Sequence, residues 1–318
     1  MPWWFFRRRV TNASIDPITS RPLATNPSGH EVVRAEPAQP SSVAPRRYLD
    51  TQPYLLPKDL GEVNRLDFQH YVMRSALHGN YLAPIQQPRR ILDVGCGTGQ
   101  WACELAQQFP QAEVIGLDLE PAKAAASLPA NYRFVQGDVL KGLPFENDTF
   151  DFVHQRLLVL AIPLAAWRGV AQELARVTAP GGWVELVEAG THVSHFTPAG
   201  PATQQFLYLM GQLGALRGLD NEGAVLRSLD LYLHQAGLVN VNRQDIDIPL
   251  GDWGGRVGSL LSLDLREAGK AISSLIAARF QMSEQEVLAL IEQAGQEWNA
   301  LQTRYHVVAA YGQKPYGG

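Results

Sequence analysis

Two hydrophobic periods alternate along the chain, and each change of period marks an element. Short apolar runs read as buried strands at Ile91–Val94, Val114–Leu117, Tyr132–Gln136, Phe150–His154 and Trp183–Glu188. Val239–Pro249 alternates apolar and polar as a sheet strand does, and Tyr305–Tyr311 forms the last run. Helical spacing fills the gaps. It covers Asp59–Leu77, with a stripe of Val63, Leu66, His70, Met73 and Leu77, and Trp101–Phe109. It returns at Pro121–Leu128 and at Leu164–Val177, where Trp167, Val170, Ala171 and Leu174 share a face. Thr178–Gly182 reads as a turn. Beyond it come Ala202–Leu216 (stripe Phe206, Leu209, Met210, Leu213, Leu216), Ala224–Ala236 and Gly258–Phe280. A last helix follows the capping box of Ser283 and Glu286. Strand and helix alternate through the middle of the chain, so the pattern predicts an α/β fold.

The centre of that pattern is Ile91–Asp118, a strand, a glycine-rich turn, a helix and a second strand closed by an acid. Glycine lets a ligand approach the backbone closely, and a helix N-terminus offers unpaired N–H groups. A carboxylate ending the second strand suits a ribose diol, because it accepts from two hydroxyls. The unit predicts a nucleoside-containing cofactor at the C-terminal edge of a parallel sheet. The dinucleotide fingerprint G-x-G-x-x-G is not met, because its third position is Gln100. The spacing is Asp93, Gly95, Gly97, Gly99, with Cys96 inside the turn.

Composition narrows the partners. The 318 residues are 46% apolar and 18% charged, ordinary for a globular protein with a sizeable core. A net charge of −4 gives no general drive towards nucleic acid or anionic membrane. No apolar run reaches the roughly 20 residues that span a bilayer, so stable membrane insertion is not expected. Cys96 and Cys103 both lie in the glycine unit, which points to a reducing, cytoplasmic setting rather than a disulfide scaffold. His192 and His195 lack a third partner at metal-ligand spacing, so no metal is expected. Residues 1–53 read as a flexible Pro-rich tail. Its start, Trp3 to Phe6 followed by Arg7 to Arg9, lacks the charge order of a secretory signal.

The D-x-G-x-G-x-G turn resembles motif I of the class I S-adenosylmethionine (AdoMet)-dependent methyltransferases. Arg65, Leu66, Gln69, His70, Ala83, Pro84 and Ile85 resemble the entrance pattern of the LaeA-like group, associated with fungal secondary metabolism. The resemblance runs from about Tyr54 to Glu188. It implies a Rossmann-like seven-stranded sheet with an N-terminal helical extension and a C-terminal helical lid. The expected division is 54–88 as helical cap, 89–190 as AdoMet-binding core, and 191–318 as lid plus the final strands.

The resemblance also assigns roles. Asp93, Gly95, Cys96, Gly97 and Gly99 would hold the cofactor from the turn, with Asp118 and Leu119 at the ribose. Gly137, Asp138 and Val139 would meet the adenine, where a carboxylate accepts from the exocyclic amine. Gln155, Gln69 and His70 would close on the methionine end. His154 is the candidate base, because its ordinary pKa lies near working pH. Asp264 is the second candidate, an acid set among apolar helix positions. Arg156, Glu188, Phe206 and Met210 are expected at the acceptor, Arg156 as a carboxylate holder.

The expected activity is methyl transfer to a small hydrophobic or aromatic molecule by in-line displacement. Two other readings stay open: an AdoMet-binding regulatory or interaction protein, and an AdoMet-dependent cyclase that transfers no methyl. No basic stripe or flipped-base motif points to nucleic acid. The oligomeric state is not legible.

Overall fold

The computed structural model describes residue 56 and residues 60–121 and 128–316, with backbone alone for 60–64. The expected tail, its aromatic and arginine start, the 122–127 part of the expected short helix, and the Val63 side chain lie outside the described residues.

Eight helices and eight strands follow one another in the described residues: α1 (Leu60–Ala76), β1 (Arg90–Val94), α2 (Gln100–Gln108), β2 (Glu113–Asp118), β3 (Tyr132–Gln136), β4 (Phe150–Arg156), α3 (Trp167–Val177) and β5 (Thr178–Ala189) come first. Then come β6 (Phe196–Thr197), α4 (Pro201–Ala215), α5 (Ala224–Gln235), β7 (Val239–Pro249), α6 (Gly255–Ala271), α7 (Ser273–Phe280), α8 (Glu284–Ala300) and β8 (Arg304–Gln313). All belong to one eight-stranded sheet and the helices around it. The order is β3-β2-β1-β4-β5-β8, with β6 and β7 both pairing β8. The first five strands run parallel, and β8 runs antiparallel to β5, β6 and β7. This is the expected Rossmann-like sheet with one two-residue strand added.

The patterning explains the layers. β1 and β2 are buried on both faces because helices cover both sides of a parallel sheet. Ile91, Val114 and Phe152 pack against Trp101 and Leu105 of α2 on one face. Leu92, Val153 and Val184 pack against α3 and α5 on the other, around Trp167 and Leu229. β7 lies at the edge and alternates exposed polar positions with Ile246 and Ile248, as an edge strand does. A third cluster joins α1, α4, α6, α7 and α8 around Met73, Phe206, Ile291 and Trp298. These helices share that core with sheet residues of β5, β7 and β8, among them Val187, Ile248 and Val307.

Three expectations are corrected. Thr178–Gly182 is the beginning of β5, not a turn: Thr178 pairs with Phe150 before the register shifts at a bulge. Gly182 is close-packed there, since a Cβ would lie 2.9 Å from the carbonyl oxygens of Ala179 and Asp151. The single helix 258–280 is two helices that break at Ile272, where Ser273 Oγ lies 2.8 Å from the Lys270 carbonyl. Leu216 falls past the end of α4 and is exposed rather than on the buried stripe.

Candidate functional site

The glycine turn lies where β1 hands over to α2. Gly95, Gly97 and Gly99 all take positive φ, at 72°, 54° and 76°. The N–H groups of Gly95 and Cys96 donate to the Leu117 carbonyl at 2.8 and 3.0 Å, which ties the turn to β2. The Asp118 carboxylate accepts from Gly97 N–H at 3.0 Å. The N-cap of α2 is Gly99, which has no side chain to cap the first N–H groups of the helix. The turn is packed from three directions. A Cβ on Gly95 would meet Leu158 at 2.7 Å, one on Gly97 would meet Leu66 of α1 at 3.4 Å, and one on Gly99 would meet the Tyr132 hydroxyl at 2.9 Å.

The turns after β2 and β3 continue the same edge. Gly137 N–H donates to the Asp118 carbonyl at 2.9 Å, and Gln136 donates to the Leu119 carbonyl at 2.8 Å. Asp138 caps a short 3-10 turn by accepting from Leu140 N–H at 3.0 Å, and it pairs with Lys141. Val139 is half-buried beside it.

A buried polar cluster fills the face between the sheet and α1. Asp93 and His154 meet at 3.0 Å, and the His154 ring stacks on Trp101 with centroids 3.9 Å apart. Burial pulls the His154 pKa down against the pull of Asp93. Arg156 Nη2 donates to His70 Nδ1 at 3.1 Å, which leaves the His70 proton on Nε2, 3.2 Å from Glu104. Burial first, and then Arg156, lowers the His70 pKa, so α1 docks through a neutral imidazole. Arg156 Nη1 is buried without a hydrogen-bond partner, and the buried Gln155 side chain lies against the Glu188 carboxyl. Gln155 stands beside Val94 in the β1–β4 register, next to the glycine turn. Beyond β4, Glu188 accepts from Leu158 and Val159 N–H, and Glu185 from Leu82 and Ala83 N–H.

A methyltransferase-domain family matches residues 91–182, from the start of β1 into β5. Methyltransferase str3 of Strobilurus tenacellus is 33% identical over 201 residues, covering 62% of this chain and 71% of that protein. The chain belongs to the S-adenosylmethionine-dependent methyltransferases. N-methyltransferase verN of Clonostachys rogersoniana is 29% identical over 276 residues, 82% of this chain and 93% of its own. The secondary metabolism regulator laeA of Monascus pilosus is 30% identical over 207 residues, and the chain spans 55% of its length. The group is that of fungal secondary metabolism, as the entrance pattern implied.

The donor set of this methyltransferase suits its cofactor. An unsatisfied buried guanidinium N–H beside a glycine turn and an uncapped helix is what a ligand carrying both a carboxylate and a nucleoside requires. Other expected positions fall differently. His154 is fully buried under Trp101, a placement that does not suit a base reaching an acceptor proton. Asp264 is not an isolated acid: Arg65 meets it at 2.6 Å, and Gln69 donates to it at 3.3 Å, joining α6 to α1. Phe206 is buried in the cluster around Met73 and Trp298, where a Cβ on Gly269 would lie 2.8 Å from its ring. Met210 is half-buried against the same core.

The sequence reading missed Tyr132, Trp101 and Glu185 as site-building residues. Among the described residues no group of three or more His, Cys, Asp or Glu is arranged to hold a metal ion, and no helix is long and apolar enough to cross a membrane.

Proposed function

We propose that this methyltransferase acts on a small hydrophobic or aromatic acceptor, with the cofactor laid across the C-terminal ends of β3, β2, β1 and β4. The observation that carries the placement is the buried, unpaired Arg156 Nη1 one residue beyond the strand position that faces Val94, at the glycine turn. In this reading Arg156 and Gln155 hold the methionine end, with Gln69 and His70 of α1 closing over it. Gly95, Cys96, Gly97 and Gly99 let the cofactor approach the backbone, and Asp93 stiffens the strand end beneath them. Asp118, which accepts from Gly97 N–H, meets the ribose hydroxyls through its carboxylate. Leu119, Gly137, Asp138 and Val139 receive the adenine.

The bound cofactor supplies an electrophilic methyl group on a sulfonium and leaves as a neutral thioether. The chain then has to align and desolvate the acceptor for in-line attack. Leu157 and Leu160, which follow β4, pack against the lid core that also holds Met210. That apolar wall supports a hydrophobic acceptor. Glu188 holds the backbone between those two leucines through Leu158 and Val159 N–H.

Calorimetric titration with AdoMet and S-adenosylhomocysteine tests the cofactor site, and a screen of aromatic and indolic compounds by mass spectrometry tests the acceptor. Micromolar binding of both cofactor forms with a methylated product is expected. Tight cofactor binding with no S-adenosylhomocysteine formed on any acceptor would favour the regulatory reading.

A further inference from the structure

β5 carries two buried glutamates three residues apart, so their side chains leave opposite faces of the sheet. Each accepts from two consecutive backbone N–H groups. Glu185 takes Leu82 and Ala83 with one oxygen, at 2.7 and 2.6 Å. Glu188 uses both oxygens, taking Leu158 at 3.0 Å and Val159 at 3.1 Å. The segment that Glu188 holds is the turn leaving β4 at the cofactor edge. Its first residue, Leu157, has φ of +58°, a left-handed conformation that a leucine does not favour. Leu157 N–H is pinned to the Val187 carbonyl at 2.9 Å on the strand side. Glu188 pins the other side. Between the two anchors, the Leu158 side chain is packed directly onto Gly95.

We propose that Glu188 is a positioning residue of the methyl-transfer site: its two-oxygen grip on Leu158 and Val159 holds the post-β4 turn against Gly95 and sets where cofactor and acceptor meet. This differs from a residue that touches the acceptor, because both carboxyl oxygens accept from backbone donors and the Gln155 side chain lies against the same group. It rests on the cofactor placement proposed above. The grip acts at a strained backbone beside a ligand site, where such strain is held by its surroundings.

The test is S-adenosylhomocysteine affinity by calorimetry, with thermal unfolding in parallel, for the wild type, Gly97→Asp, Glu188→Gln and Glu188→Gln with Leu157→Gly. Glutamine keeps one acceptor oxygen but turns an N–H group towards the second donor. Glu188→Gln is expected to stay folded and lose affinity about tenfold, the equivalent of one hydrogen bond. Glycine takes positive φ unaided, so adding Leu157→Gly is expected to recover much of that loss. A purely structural role would lower the melting temperature and leave the affinity of the folded protein unchanged. Affinity within twofold of wild type, or a loss that Leu157→Gly leaves untouched, overturns the proposal. Should Glu188→Gln not fold, Leu158→Ala keeps the grip and removes the contact with Gly95. A weakening of similar size supports the proposal and unchanged affinity overturns it. Failure of the wild type to bind would instead overturn the cofactor placement.

Discussion

Asp93 and His154, from adjacent parallel strands, meet through a 3.0 Å contact between carboxylate oxygen and ring Nδ1. The carboxylate fixes the proton on Nδ1, and Trp101 covers the ring face. This arrangement orients a side chain and leaves it no open route to an acceptor. His154→Phe keeps a ring on Trp101 and removes the donor to a buried Asp93. It is expected to cost about 1.5–3 kcal/mol of stability in urea unfolding, the range for a hydrogen bond to a charged group. Methyl transfer by the folded variant is expected to stay within about tenfold of wild type. A loss of roughly 100-fold or more is what removal of a general base produces, and it would restore His154 to that role.

Asp118 serves two parts of the site, because it accepts from Gly97 N–H while closing β2. Asp118→Ala is expected to weaken AdoMet binding by about 1.5–3 kcal/mol for each charge-assisted bond lost. Calorimetry reads this directly, and an unchanged dissociation constant would remove Asp118 from the cofactor.

Gly97 has φ of +54°, and its Cβ position lies 3.4 Å from Leu66 of α1. Gly97→Asp brings strain, bulk and a negative charge to the place where the backbone must approach the cofactor. Binding is expected to be abolished while the sheet still folds. Near-normal affinity together with a native circular dichroism spectrum would displace the cofactor from this turn.

The elements of the core were legible because their signals are local. Ile91–Val94 and Val114–Leu117 are buried on both faces and read as continuous apolar runs, and the glycines between them announce the turn. What stayed hidden depends on residues far apart. Asp264 read as a lone acid because its partner Arg65 lies 199 positions away. Glu185 gave no signal because its partners are the main-chain N–H groups of Leu82 and Ala83. His154 was expected to end its strand, but β4 runs on to Arg156 and strand alternation turns His154 onto Trp101. Tyr132 read only as the start of a strand, yet its hydroxyl backs Gly99 and Gly116. The break at Ile272 follows Gly269 by three residues, and a single glycine inside a helical pattern does not by itself announce an end.

Arg65 and Asp264 form a buried ion pair between α1 and α6, with side chains 6% and 2% exposed. Breaking such a pair from one side is costly, on the order of 3–5 kcal/mol, because a buried charge loses its counterpart. Asp264→Ala is therefore expected to destabilise strongly and to loosen α1, with increased protease cleavage near residue 60. Arg65→Met combined with Asp264→Leu is expected to lose much less than the sum of the single changes. A double-mutant cycle that sums to zero coupling would show that the pair does not dock α1.

Burial pushes the Glu185 carboxyl up to about 7 and that of Glu188 up to about 8, although backbone N–H donors favour their ionised forms. Their ordinary value is 4.5. The unfolded chain therefore releases these protons near pH 4.5, and the folded chain holds them until near pH 7 and 8. Across that window the unfolded state binds fewer protons, so stability falls as pH rises and levels off above about pH 8. Glu188→Gln removes one such group. The wild type is expected to lose stability relative to this variant as pH rises from 5 to 8, with a slope of at most about 1.4 kcal/mol per pH unit. Denaturant unfolding of both proteins from pH 5 to 9 gives the difference curve. A flat difference would mean that Glu188 is already ionised in the folded state near its ordinary pKa, with its two N–H donors compensating for burial.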